Sequence, residues 1–410
     1  MLKQISLKNF KAFKELTLDL ADITILIGPQ GVGKSTILDA LLLLAQSAGQ
    51  PQLNLYNTRF KEERYADLVH KQKERDLIEF ELNFDFIGAY PPITNGPNHV
   101  VRYSLIVDSM GFRGHTAEYL FPEQKWEFSV PREKNRITPI SLPLTNQLRL
   151  ELKGYNLILL PFTVGWVAVP PEMNQASVQN LKLIAQELAG YFRNIYSVPT
   201  NREIMENTCS IEKLATPFSS KTGVLNWLAN NWDARDRVVN WLHSIVERRL
   251  GFRQAGNQLV IETSNASGLL HSIMSEGSGL RQLIWPLTAL AASDFGSVVA
   301  IEEPEIHLHP KAQARLCEVF CEAIREENKR LLFTTHSEHM LMGFLTAVAQ
   351  GQLRPENLAI YYLDIADGVA TAERLDVNEQ GMVEGGLKGF FEAGLDELEA
   401  YLGALSKQKI

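Results

Sequence analysis

Gly28, Pro29, Gln30, Gly31, Val32, Gly33, Lys34, Ser35 and Thr36 fit the pattern G-x-x-x-x-G-K-[ST]. Glycines let a backbone close on an anion where a Cβ would intrude; successive N–H groups then face it, and a following helix adds its positive end. In such a loop the Lys34 ammonium reaches the outer phosphates of a nucleoside triphosphate and the Ser35 hydroxyl ligates Mg2+. A second group is the adjacent pair Glu302 and Glu303 in SVVAIEEPEIHLHP, where a four-residue apolar run ends in two carboxylates. The first would hold Mg2+, directly or through water, and the second would orient or deprotonate a water attacking the γ-phosphate. A third is His336 in RLLFTTHSEHM, placed to hydrogen-bond the γ-phosphate and keep that water in line. A glycine-rich turn explains the first motif alone and an acidic loop the second, but neither explains both on one chain.

These residues need particular elements to hold them. Ile23, Ile25, Leu26 and Ile27 precede the glycine loop as a strand buried on both faces, and the nearly all-apolar run Ile37 to Ala45 follows it as a buried helix. Leu331 to Phe333 forms another buried strand before His336. MSEGSGLRQLIWPLTALAA opens an apolar helix with a loop of small residues, in which Ser275, Gly277 and Gly279 would present a hydroxyl and backbone N–H groups to a phosphate. That loop is expected to lie far from the glycine loop of its own subunit and to act on a partner's nucleotide.

Elsewhere the N-terminus MLKQISLKNFKAFKELTLDL alternates as a strand hairpin. Leu77 to Phe86, Val100 to Val107, Glu118 to Val130 and Gln147 to Leu152 read as strands of an antiparallel sheet, with PPITNGPN at Pro91 to Asn98 as an exposed loop. A helical middle is expected from about Glu172 to Leu250, where Val238, Trp241, Leu242 and Ile245 share one helix face. Trp227, Trp232 and Trp241 read as core or interface rather than as a platform for stacked bases. The predicted fold is α/β, in three parts: residues 1–170 with the glycine loop and an antiparallel subdomain, a mostly helical lobe at 171–270, and 271–410 completing the nucleotide-binding lobe.

Composition bounds the alternatives. The 410 residues are 45% hydrophobic and 21% charged, and the formal net charge of −8 disfavours a uniformly basic nucleic-acid binder while leaving room for a local basic groove. Cys209, Cys317 and Cys321 are too few for a disulfide framework, and the i, i+4 pair reads as core packing. The apolar stretches Leu157 to Val169 and Leu283 to Ile301 are too short or too interrupted to span a membrane. The N-terminus does not read as a signal peptide, so a cytoplasmic protein is expected. His307, His309 and His339 follow no recognised metal-ligand spacing.

Taken in order, the motifs resemble those of the ATP-binding-cassette ATPases of the RecF, SMC and OLD (overcoming lysogenization defect) type, grouped loosely with AAA-family ATPases. LKNFKAFKELTLDL with ITILIGPQGVGKST is similar to the family's opening, MSEGSG to its signature loop, IEEPEIHLHP to its Walker B strand and D-loop, and TTHS to its histidine switch. YYLDIADGVATAERLDVNEQG and GFFEAGLDELEAYL look like the hairpin and terminal helix of stand-alone OLD-like ATPases. The resemblance implies a P-loop ATPase fold and a head-to-tail dimer sandwiching two ATP molecules. Lys34, Ser35, Glu302, Glu303 and His336 would act in cis, with Glu303 as general base, while Ser275 and Gly277 would reach the γ-phosphate in trans. Hydrolysis would then weaken the dimer and convert nucleotide state into a mechanical or recruitment signal.

The chain departs from the family at Gln30, where Asn is usual, at Glu302, where many members have Asp, and in SEGSG, which differs from the transporter form SGGQ. The first two keep the chemical type. IYSVPTNRE resembles the junction between lobes, making Arg202 a candidate in place of the Q-loop glutamine. The 240 residues from Ser35 to Ser275 carry no sustained heptads, unlike the coiled coils of SMC proteins. OLD nucleases carry a Toprim domain after the ATPase; this chain runs about seventy residues past His336, and Asp364 and Asp367 read as residues of a hairpin turn, so no nuclease centre is expected here. Two functions follow. One is a DNA-linked ATPase of repair or anti-phage defence controlling a separately encoded nuclease or other effector, with Lys8, Lys11, Lys14, Arg248, Arg249 and Arg253 available to phosphates or simply solvated. The other is a nucleotide-gated scaffold with slow hydrolysis and no DNA binding.

Overall fold

The structure, a computed structural model, describes residues 2–48, 64–72, 76–86, 99–108, 111–120, 125–133, 136–137, 156–159, 166–169, 192, 194–210, 217, 223–366 and 368–386. The chain opens with β1 (Leu2–Phe10), β2 (Phe13–Asp19), β3 (Ile23–Ile27), α1 (Lys34–Ser47) and a single helical turn, α2 (Tyr65–Leu68). Then come β4 (Ile78–Phe86), β5 (His99–Asp108), β6 (Gly111–Leu120), β7 (Lys125–Glu133), β8 (Arg136–Ile137), β9 (Asn156–Leu159), β10 (Trp166–Val169), β11 (Ile195–Val198) and β12 (Thr208–Ser210). Helices α3 (Gly223–Asn230) and α4 (Trp232–Val246) lead to β13 (Arg249–Ala255), β14 (Gln258–Ser264), β15 (Leu270–Ser272) and α5 (Ser278–Ala292). The remainder is β16 (Val298–Glu302), α6 (Pro310–Glu327), β17 (Arg330–Thr334), α7 (Glu338–Ala349), β18 (Leu358–Ala366) and β19 (Val369–Leu375).

The described strands of the central sheet run in the order β11-β16-β17-β3-β18-β19, parallel except for the last. Its inner strands are mainly apolar because both faces are covered, and the pleat divides each one between two cores. Leu26, Val298, Ala300, Leu332, Ala359 and Tyr361 turn toward α1 and the N-terminal antiparallel sheet. Ile25, Val299, Ile301, Leu331, Phe333 and Ile360 turn the other way, against α3 to α7. Between the two sheets α1 is closed in almost all round: Ile37, Leu38, Leu41, Leu43 and Leu44 are fully buried, each contributing roughly 2 kcal/mol. The antiparallel sheet has the order β2-β1-β4-β5-β6-β7-β8, and its opening hairpin closes on the pair Phe10 and Phe13.

The predicted strand from Glu118 to Val130 is two strands, β6 and β7, paired with each other. The region expected to be a helical lobe holds α3 and α4, but β11 within it joins the central sheet beside β16, and β12, β13 and β14 form a separate antiparallel sheet. Local pattern cannot reveal that β11 pairs with a strand a hundred residues away. Val238, Trp241, Leu242 and Ile245 are buried on one face of α4, as their spacing predicts. Trp241 is core and Trp227 packs against it, whereas Trp232 is 68% exposed and stacks on the Arg235 guanidinium 3.8 Å away. The described residues of the first apolar stretch belong to the antiparallel pair β9 and β10, and the second forms the end of α5 and β16. Among the described residues no helix is long and apolar enough to cross a membrane. All three cysteines are buried free thiols, the Cys317 and Cys321 thiols pushed up in pKa by burial. Asp364 sits within β18 opposite Thr371 rather than in the turn. The predicted strand Gln147 to Leu152, the loop Pro91 to Asn98, residues 172–191 and the terminal helix lie outside the described residues.

Candidate functional site

The loop from Gly28 to Gly33 leaves the C-terminal end of β3 and enters α1 at Lys34, whose N-cap Gly33 has a left-handed backbone. A Cβ on Gly28 (φ 139°) would lie 2.2 Å from the Leu363 carbonyl oxygen, and one on Gly33 would lie 2.6 Å from the Ala12 Cβ. The loop is thus pressed between β18 and the turn of the β1–β2 hairpin, and only glycine fits both contacts. On its outer side the positive-φ Gly31 faces open space. Lys34 is buried, its Nζ donating to the carbonyls of Gly28 (2.8 Å) and Pro29 (2.7 Å). Burial lowers its pKa and Glu303 partly offsets this. Pro29, Gln30 and Ser35 are exposed, whereas Val32 and Thr36 are buried behind them. The hairpin turn is tied to the same helix by Lys11 and the buried Asp39, 3.0 Å apart.

Parallel pairing puts β17 between β16 and β3, so Glu302 and Glu303, the loop after Thr334, and the glycine loop emerge at one edge of the sheet. Glu302 is buried; its Oε2 accepts from the Thr200 N–H (3.1 Å) and hydroxyl (3.0 Å) at the end of β11. Glu303 adopts φ 42°, a left-handed conformation rare for a residue with a side chain. It is over-determined there: its N–H donates to Thr334 O (3.0 Å) and its carbonyl accepts from Arg202 (2.7 Å). His336 Nε2 lies 3.7 Å from Glu303 Oε1. Burial and the nearby Lys34 lower the His336 pKa against an opposing pull from Glu303, favouring the neutral ring.

Arg202, the sequence candidate for the place of the Q-loop glutamine, is turned onto backbone carbonyls. It is 1% exposed, and its guanidinium donates to the carbonyls of Glu302 (2.6 Å), Glu303 (2.7 Å), Pro199 (2.9 Å) and, on α5, Gln282 (3.3 Å). Burial lowers its pKa to about 10, with Glu305, Glu303 and Glu302 opposing, so it stays charged at neutral pH. Four of its five N–H donors are spent on backbone carbonyls, so it acts as a clamp on the backbone behind the carboxylate pair. The residue of that segment meeting the Glu302 carboxylate is Thr200, which no sequence signal singled out.

In the loop before α5, Ser275 closes a 3-10 turn and is exposed; Gly277 is the exposed N-cap, with no side chain capping the helix. The neighbouring Glu276 is held inward by Arg248 (3.3 Å) and the Thr263 hydroxyl (2.7 Å). Gly279 packs on the D-loop, where a Cβ would fall 2.4 Å from His307 O. His309 is the N-cap of α6, its Nδ1 accepting from Lys311 N–H at 3.3 Å. Several basic residues considered for phosphate contact are engaged: Lys8 with Glu79 (3.2 Å), Arg248 with Glu276 (3.3 Å) and Arg253 with Glu262 (3.0 Å).

The chain is 24% identical over 352 residues to the OLD nuclease of Thermus scotoductus, covering 82% of this chain and 59% of that protein. It is 22% identical over 383 residues to the retron Ec83 probable ATPase of Escherichia coli, covering 81% of this chain and 68% of that one. It therefore spans less than two thirds of the nuclease's length. Among solved structures, an SMC head bound to the C-terminal winged-helix domain of ScpA matches with a TM-score of 0.52 and 14% identity, over 92% of this chain and 98% of that chain, so the two share the P-loop NTPase fold. The family description of the AAA ATPase domain matches residues 1–159 and 172–341, most of the chain, and the protein belongs to that family.

Proposed function

We propose that this protein binds and hydrolyses ATP, with Mg2+, and that the nucleotide drives association of two copies. The observation that carries this reading is the meeting of Lys34, Glu303 and His336 at one edge of the central sheet, with His336 Nε2 3.7 Å from Glu303 Oε1. The loop from Gly28 to Gly33, exposed at Pro29 to Gly31, would receive the phosphates and Lys34 would turn from its own loop carbonyls to their outer oxygens. Ser35 and Glu302 offer a hydroxyl and a carboxylate, the hard oxygen donors that suit Mg2+, and the bound ion would neutralise phosphate charge. Glu303 would take the proton of the attacking water, and the neutral His336 would donate a hydrogen bond to the γ-phosphate. Ser275 and Gly277, exposed at an uncapped helix start, would complete the site of a second copy.

Glu303→Gln tests the assignment: ATP binding retained, turnover reduced roughly 100-fold or more, and an ATP-dependent dimer accumulating in light scattering. A variant that turns over like the parent removes Glu303 as the base. Lys34→Ala loses nucleotide binding in the same assay. The relatedness to an OLD nuclease and a retron ATPase supports a role in DNA repair or anti-phage defence beside a separately encoded effector or nuclease. A second reading, a nucleotide-gated scaffold with slow hydrolysis and no DNA binding, is favoured by the carboxylate pairing of Lys8, Lys11, Arg248 and Arg253 and by the net charge of −8.

A further inference from the structure

The Glu305 side chain has no part in the chemistry described above, yet it is 8% exposed and lies two residues beyond Glu303. Its Oε1 accepts from the Thr335 hydroxyl (2.6 Å) and from the His336 N–H (3.1 Å). Its Oε2 is buried without a hydrogen-bond partner among the described residues. A buried carboxyl with an orphaned oxygen costs stability, and an apolar side chain here would avoid that cost. Packing alone therefore does not explain a glutamate at this position.

The contacts form an ordered chain. Ser337 N–H donates to Thr335 Oγ1 (2.9 Å), so the single hydroxyl proton of Thr335 goes to Glu305. Ser337 Oγ in turn donates to Gln313 Oε1 (2.5 Å), and Gln313 Nε2 donates to Leu308 O (2.8 Å). The His336 peptide is thereby held at its own N–H and at both neighbours, while its side chain is 42% exposed. The backbone, rather than packing around the ring, sets where the imidazole points. We propose that Glu305 is a positioning residue for His336, fixing the peptide so that the ring stands beside Glu303 before nucleotide arrives. The proposal rests on the reading of His336 as the γ-phosphate ligand.

A double-mutant cycle with amide exchange tests it. Glu305→Ala lowers kcat about tenfold while KM for ATP stays within about twofold. Glu305→Gln, whose amide oxygen accepts the same two hydrogen bonds, keeps kcat within about threefold of the parent. In a His336→Ala background, Glu305→Ala causes no further loss. Without nucleotide, the His336 amide is protected from hydrogen exchange in the parent and the Gln form and exchanges freely in the Ala form. If Glu305→Ala fails to fold, Thr335→Val, which keeps the shape and removes the hydroxyl, takes its place in the cycle. Losses that add in the double variant, a Gln form as slow as the Ala form, or an unprotected His336 amide in the parent overturn the proposal. A parent that hydrolyses no ATP overturns the reading of the site instead, and the exchange measurement still decides whether Glu305 holds the peptide.

Discussion

His336 joins two environments: its N–H is fixed by the buried Glu305, while its ring is partly open beside Glu303 and Lys34. Because burial and Lys34 disfavour the imidazolium, the folded-state pKa lies below the ordinary histidine value, and the neutral ring persists to lower pH than in a free histidine. The sign for stability follows: the unfolded chain binds this proton more readily, so the folded state loses stability as pH falls through the unfolded value, about 6.5. Turnover should therefore stay level as pH falls to about 6.5 and decline only below it. A pH–kcat profile of the parent and His336→Gln checks this, since a limb left unmoved by the substitution belongs to another group.

Arg202 makes a mechanical unit of several elements. From the segment after β11 it grips the carbonyls that end β16 and a carbonyl of α5, so the helix behind Gly277 and the strand carrying Glu303 share one buried cation. Removing the guanidinium leaves buried carbonyls without donors, each a penalty of about 1–3 kcal/mol. Arg202→Met is expected to lower unfolding stability by on the order of 3 kcal/mol, read from the denaturant midpoint. It should also release Glu303 from its left-handed conformation, so turnover falls further than the folded fraction does. Loss of turnover in strict proportion to folded protein would confine Arg202 to stability.

For the molecule as a whole, the proposed dimer would leave one copy with only part of each site, the exposed Ser275 and Gly277 completing the site of the other. Ser275→Arg should leave ATP binding by the monomer intact and suppress hydrolysis at least tenfold by obstructing the second copy. Turnover per chain in the parent should rise with protein concentration; wild-type turnover in the variant, or a rate independent of concentration, removes the shared site. DNA binding is decided by its salt dependence. Lys8, Lys11, Arg248 and Arg253 are already paired with carboxylates, so if they are the DNA contacts the slope of log affinity against log salt should be shallow. A steep slope would point to basic residues other than these four.

The glycine loop, the carboxylate pair and His336, which the structure gathers at one edge of the central sheet, stand out in the sequence because each is a short local pattern next to an apolar run. The core of the fold was legible for the same reason: strands buried on both faces read as short, mainly apolar runs, and α4 shows its buried stripe. What the tertiary structure alone decided are contacts between residues remote in the chain. Thr200 meets Glu302, Arg202 clamps the backbone instead of facing nucleotide, and Glu305 holds His336. No local periodicity encodes such pairs, since they exist only once β11, β16 and β17 lie side by side. The left-handed backbone at Glu303 belongs with them: a glutamate takes φ 42° only where surrounding hydrogen bonds hold it there, and those bonds come from Thr334 and Arg202.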